Sequence, residues 1–153
     1  MAEKSSDVDP FLHVLSLHTR LEQSVSRRLR RVGSGVSEYR VLRLLSQRPE
    51  REMRLLDLTD ALGLDQSSVS RLVVRLEAVG EVRREPCGDD RRGVFCVLTE
   101  AGAERERELT PVFAQAALEA LDRLRSEPGA AAAAAPLLRS IADDLASAPP
   151  PGR

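Results

Sequence analysis

The residues best suited to chemistry run from Asp65 to Arg75, DQSSVSRLVVR. Asp65 stands where a helix N-cap belongs, its carboxylate placed to accept backbone N–H groups of the turn that follows. Beyond it Gln66, Ser67, Ser68, Ser70, Arg71 and Arg75 interleave with Val69, Leu72, Val73 and Leu76 at helical spacing. One face of that helix is therefore apolar, and the other carries amide, hydroxyl and guanidinium groups. Such groups do not make a nucleophile–base pair or a metal cluster. They pair with base edges and phosphates, and a guanidinium can fork onto guanine. The chemistry of this stretch is recognition, and its natural object is a nucleic acid.

The flanking sequence must position that face. Before it, LLDLTDAL is a short amphipathic helix stopped by Gly63, and Leu64 plugs the turn between the two helices. The apolar stripe of the second helix is expected to include Val69, Leu72, Val73, Leu76 and Val79. After it, EVRRE and GVFCVLT read as two strands joined by the polar loop CGDDRR. A short helix, a tight turn, a second helix and a β-wing make a winged helix-turn-helix, with the second helix entering the major groove of duplex DNA. Arg91 and Arg92 would then reach the minor groove or its phosphates, where narrow A·T tracts attract guanidinium. Asp90 is placed to buttress an arginine, since phosphate would repel its charge. Arg83 and Arg84 alternate across a strand, so at most one of them faces DNA.

Composition limits the partners without naming them. Of 153 residues 42% are hydrophobic and 31% charged, ordinary for a globular chain, and the net charge is only −1. Aromatics are 3%, too few for the stacking platforms that hold single strands. Charge is nevertheless uneven: residues 27–54 carry nine Arg against three Glu, while 55–98 carry six Arg against eight acids. Binding by the central stretch must rest on placement and not on surplus charge. The polar start MAEKSSDVDP and the lack of any run of about 18 apolar residues point to a cytoplasmic protein. Cys87 and Cys96 are expected to be free thiols there.

Residues 1–9 and 148–153 read as disordered ends around a single domain spanning 10–147. From Pro10, capped by Asp9, a first helix carries Phe11, Val14, His18, Leu21, Val25 and Leu29 on one stripe. Leu12, Leu15 and Leu17 widen its apolar surface beyond one contact seam, so two surfaces should be met. A second helix is capped by Ser37, and Met53-Arg54-Leu55 is a minimal strand for the wing sheet. Thr99 caps a long helix in which Pro111 should introduce a kink, and a last helix covers roughly 130–146. The winged unit occupies about 37–99, and the helices at about 10–32 and 100–147 read as dimerisation helices. A two-fold homodimer would set two recognition helices roughly 34–36 Å apart on a near-palindromic site.

Asp90-Arg91-Arg92-Gly93 followed by Val97-Leu98-Thr99-Glu100-Ala101-Gly102 resembles the wing-to-helix signature of the MarR family of bacterial transcriptional regulators. SEYRVLRLL at 37–45 and SRLVVRLEAVGEVRRE at 70–85 are similar to that family's second helix and recognition helix. The likeness covers about residues 10–147. It implies a mainly α fold with a small β-wing and a homodimeric DNA-binding repressor, less often an activator, frequently relieved by a small aromatic or phenolic ligand. In the family the ligand pocket lies between the first, second and fifth helices and the winged unit, which makes His18, Tyr39 and Arg40 its candidate residues.

The same residues admit other roles. His18 would equally serve as a half-buried histidine bonded to a neighbour, and His13 falls off the stripe. Cys87 has Arg83, Arg84, Arg91 and Arg92 near it in sequence, which would favour a thiolate and thiol-based redox sensing. Redox sensors related to the family, however, carry their reactive cysteine on the first helix, where this chain has none. An adaptor whose arginine-rich faces meet an acidic protein is a further alternative. Enzymatic activity, a cofactor and a metal site are not expected.

Overall fold

The computed structural model describes residues 8–86 and 93–126, with 129, 132, 135 and 139. In chain order the elements are α1 (Val8–Arg31), α2 (Val36–Ser46), β1 (Glu52–Arg54), α3 (Leu55–Leu62), α4 (Gln66–Ala78), β2 (Val82–Pro86), β3 (Val94–Leu98) and α5 (Glu100–Arg125). The chain divides into two compact units, residues 26–115 and residues 1–25 with 116–153. The expected Cys87–Arg92 loop, the extreme ends and most of the expected last helix lie outside the described residues, although 129, 132, 135 and 139 are helical.

Residues 26–115 contain the helix-turn-helix and the wing sheet. Leu29, Val41, Leu42, Leu45, Leu58, Val69 and Val73 are fully buried, and Leu72 and Leu76 nearly so. Apart from Leu29 of α1, these are the stripe residues of α2, α3 and α4, so the apolar periodicity is the core. Val79 departs from that pattern. The helix ends at Ala78, Val79 takes the C-cap position, and it is 67% exposed. Once the backbone leaves the helix, a position ten residues along the stripe no longer faces inward.

The cap of α2 also differs from expectation. Gly35, and not Ser37, is the N-cap, because the carboxylate of Glu38 reaches back and accepts the Gly35 N–H at 2.8 Å. The turn between α3 and α4 is as read: Gly63 has φ 65° and donates its N–H to Thr59 and Asp60. The sheet is antiparallel with order β1-β3-β2. β1 runs one residue earlier than anticipated and pairs Met53 with Cys96, while Leu55 opens α3.

The wing joins α5 through a single crowded point. Gly80 takes φ 78°, turning the chain out of α4. Thr99 then donates its hydroxyl to the carbonyls of Gly80 at 2.6 Å and Glu81 at 3.0 Å, and accepts the Gly102 N–H at 3.0 Å. Gly102 is required there, since an added Cβ would stand 1.9 Å from the Glu81 carbonyl oxygen.

In the other unit α1 begins at Val8, so Asp9 lies in the first turn and its carbonyl is 2.7 Å from His13 Nδ1. Leu17, Val25, Ala116 and Ala120 are buried, whereas Phe11, Leu12, Leu15, Leu118 and Leu121 remain exposed. Pro111 falls inside α5, which continues to Arg125. No helix among the described residues is long and apolar enough to cross a membrane.

The Gly102 contact yields a stability test. Gly102→Ala must push the Glu81 carbonyl aside, and overpacking of this kind costs about 1–3 kcal/mol. Chemical denaturation should show that loss. A variant as stable as the parent chain would show that the joint is looser than described.

Candidate nucleic-acid interface

The start of α4 is built around one carboxylate. Asp65 Oδ1 accepts the Ser68 backbone N–H at 2.9 Å and the Ser67 hydroxyl at 2.6 Å, and Oδ2 accepts the Ser68 hydroxyl at 2.6 Å. The Ser67 hydroxyl, then the Ser68 hydroxyl and backbone N–H, hold the Asp65 carboxyl far below its ordinary value of 3.8. Hydrogen bonds to the charged form produce such a shift, because protonation would break them.

These bonds set what the serines can do. A hydroxyl has one hydrogen, and Ser67 and Ser68 both spend theirs on Asp65. Toward a ligand each presents lone pairs and accepts. Ser68 uses one on Arg71, whose Nη2 donates to its hydroxyl oxygen at 3.2 Å. Asp65 thus orients Ser68, and Ser68 orients Arg71. Ser67 is left suited to a base amino group and unsuited to donating to phosphate.

The outward stripe of α4 is Ser67, Arg71, Val74 and Ala78, all exposed and spaced at i, i+4, i+7 and i+11. Gln66 is exposed beside its start, and Ser70 is half-buried on the flank. Arg75 lies on the other flank, with Nε 3.7 Å from Glu38 Oε1 of α2. Val74 had no part in the expected site. Its signal was present in the sequence, as the third of three consecutive apolar residues, too many for one stripe of a helix.

On β2 both arginines have carboxylate partners. Arg83 Nε is 2.5 Å from Glu85 Oε1, and Arg84 Nη2 is 2.6 Å from Glu77 Oε2 of α4. The Arg84 hydrogen bonds and charge draw the Glu77 carboxyl below its usual range. This pair ties the recognition helix to the wing. The β2–β3 register extends to Pro86 opposite Val94; Cys87, Asp90, Arg91 and Arg92 fall outside the described residues. Cys96 is buried, and burial followed by the Glu77 charge pushes its thiol up to about 12. That makes it a packing residue and not a reactive one.

A second feature of residues 26–115 is a cleft of about 450 Å³ lined by Tyr39, Arg40, Arg43, Leu44, Ala61, Thr110, Phe113 and Ala114. The Tyr39 and Phe113 rings stack with centroids 4.6 Å apart. Glu106, with a side chain 8% exposed, accepts from Arg43 Nη1 at 2.9 Å and from the Thr110 hydroxyl at 2.8 Å. With the Thr110 hydrogen spent, the Tyr39 hydroxyl donates to Thr110 Oγ1 across 3.2 Å. Arg40 stays exposed, touching the Ala61 carbonyl at 3.4 Å. Tyr39 and Arg40 therefore both line this cleft. His18 belongs to the other unit and is exposed, which removes the half-buried reading. Arg43, Glu106, Thr110 and Phe113 are cleft residues that the sequence did not single out; Glu106, Thr110 and Phe113, at i, i+4 and i+7 of one helix, carry its only trace. Among the described residues no three His, Cys, Asp or Glu side chains gather into a metal site.

A family model described as MarR family matches residues 33–93. No curated protein matches the chain. Among solved structures it is similar to Sco3205, a MarR family transcriptional regulator from Streptomyces coelicolor in complex with DNA. That likeness has 33% identity over 88% of this chain and 84% of that one, with a TM-score of 0.72. AbsC, a MarR family transcriptional regulator from the same organism, is 28% identical over 87% of this chain and 92% of its own, with a TM-score of 0.69. Apo MarR from E. coli, 20% identical over 84% and 92% of the two chains, shares the fold at a TM-score of 0.64.

The Asp65 cap carries a pH signature. A carboxyl held lower in the folded chain than in the unfolded one stabilises fully above its unfolded value, and that contribution is lost as pH falls through and below it. Asp65→Asn keeps a capping side chain without the titration. Between about pH 5 and pH 2, the melting temperature of the parent chain should fall further than that of Asp65→Asn. Parallel curves would remove Asp65 as a charged cap.

Proposed function

The chain belongs to the MarR family of transcriptional regulators, and we propose that it acts as a homodimeric repressor binding a near-palindromic site in double-stranded DNA. The observation that carries this reading is the outward face of α4, where Asp65 orders Ser67, Ser68 and, through Ser68, Arg71. Preordered groups of this kind lose little freedom on binding. That Sco3205, at 33% identity, forms a complex with DNA supports DNA binding here. Gln66, Ser67, Ser68, Ser70 and Arg71 read bases or flank them. Arg75 contributes once it leaves Glu38, and Arg91 and Arg92 of the Cys87–Arg92 loop supply phosphate or minor-groove contacts, with Asp90 as their support.

Dimerisation is supported by the apolar side chains left exposed in the unit of residues 1–25 and 116–153. Phe11, Leu12 and Leu15 are about half exposed, Leu118 is 61% and Leu121 42% exposed. Burial of such a set against a second copy is worth on the order of 25 cal/mol per Å². The cleft beside Tyr39 and Arg40 is the proposed effector site. Its volume of about 450 Å³ suits a small molecule, its stacked rings suit an aromatic one, and the exposed Arg40 suits an anionic or phenolic group. A ligand coupling of about 2–3 kcal/mol would release DNA roughly 30- to 150-fold.

Two measurements test this. On duplexes from the gene's own upstream region, Arg71→Ala should cost about 1–3 kcal/mol of specific binding, while Arg92→Ala should lower the salt slope by about one. If both bind like the parent chain across a salt titration, the DNA face is misassigned. In sedimentation equilibrium the parent chain should be dimeric, and Leu118→Glu with Leu121→Glu should be largely monomeric and bind DNA more weakly. A monomeric parent chain at micromolar concentration would refute the dimer.

A further inference from the structure

The outward stripe of α4 changes character halfway along. Ser67 and Arg71 give way to Val74 and Ala78, and Val74 is 45% exposed while its neighbours Leu72 and Val73 are 2% and 0% exposed. Val74 sits one turn beyond Arg71, on the same line as the groups ordered by Asp65. It is continuous with the surface proposed above to enter the major groove. Val79, though more exposed, is at the C-cap and off that line.

We propose that Val74 is a specificity-determining residue that reads a thymine through its 5-methyl group. This inference rests on the DNA-binding reading of the same helix face. In the major groove the thymine methyl is the one apolar group that projects from the bases; cytosine offers only a flat C5–H beside its N4 donor, and the purine edges present donors and acceptors. A valine placed against a G·C pair would strip water from O6, N7 or N4 and return no partner, which is costly. Against thymine it covers a methyl and strips nothing polar. β-Branching strengthens the effect, because valine in a helix holds one side-chain rotamer and has little freedom to lose when it docks.

Geometry also fixes where that thymine should be. Three residues advance a helix by about 4.5 Å, and stacked base pairs are about 3.4 Å apart. The thymine read by Val74 should therefore fall within about two base pairs of the base read by Arg71.

The experiment uses the full chain and duplexes selected by it from a random-sequence pool. In the selected duplex each dT is replaced in turn by dU, which removes the methyl and nothing else. At one thymine per half-site the parent chain should lose about three- to five-fold in affinity, the value of one buried methyl. Val74→Ala should bind the thymine duplex more weakly by a similar factor and bind its uracil counterpart equally well. Alanine is the better helix former, so this variant folds, and circular dichroism checks it. Val74→Ile, which keeps the branched side chain, should retain the thymine preference. A parent chain indifferent to uracil at every position, or a Val74→Ala protein with unchanged uracil sensitivity, overturns the assignment while leaving DNA binding intact. Failure to select any duplex overturns the DNA-binding reading itself.

Discussion

The carbonyl oxygen of Glu81 is the point on which the geometry of residues 26–115 depends. It accepts both the backbone N–H of Thr99 at 3.2 Å and the Thr99 hydroxyl at 3.0 Å. Gly102 passes so close that a methyl group would lie 1.9 Å away. The turn out of the recognition helix, the end of β3 and the first turn of α5 are thereby fastened at one place. The Leu-Thr-x-x-Gly pattern gains a physical meaning from this. Threonine supplies a hydroxyl that donates outward to the turn and accepts inward from the helix, and glycine supplies room. The Arg84–Glu77 pair is a second tie, since both its side chain and its backbone N–H engage Glu77. α4 is thereby tied directly to the wing sheet.

Charge placement follows the same logic. Many arginines of this unit are matched to carboxylates: Arg43 to Glu106, Arg51 to Glu100, Arg84 to Glu77 and Arg105 to Glu81. The more exposed Arg51–Glu100 and Arg84–Glu77 pairs contribute at most about 1 kcal/mol each, but all four cancel local charge. Arg71 is bonded to a serine hydroxyl, so its charge is not neutralised by that contact. A net charge of −1 is therefore compatible with a face that attracts DNA. What counts is which cations are left uncancelled, and where.

Much of this was legible in the sequence because it is local. The Gly63 turn, the Asp65 cap, the Thr99 cap and the buried stripe from Val69 to Leu76 depend on neighbours within a few residues. What was illegible depends on contacts between distant segments or on where an element stops. Val79 satisfies the helical period and fails only because the helix ends before it. Arg75 looks like any outward cation until Glu38 is found beside it. The Arg43–Glu106 and Tyr39–Thr110 bonds join residues 63 and 71 apart, a separation no periodicity can report. His18 lies on an apolar stripe in sequence, yet only Leu17 at that end of α1 is buried, while Phe11, Leu12, Leu15 and His18 are exposed.

The cleft and the start of α4 are joined by one side chain. Arg40 reaches the carbonyl of Ala61 in the last turn of α3, and Gly63 and Asp65 follow within four residues. A ligand that draws Arg40 toward its own anionic group removes a donor from that turn. The turn sets the position of Asp65, and Asp65 sets Ser67, Ser68 and Arg71. Arg40 is thus a side chain through which an anionic ligand in the cleft would reach the last turn of α3, just ahead of the Asp65 cap of α4.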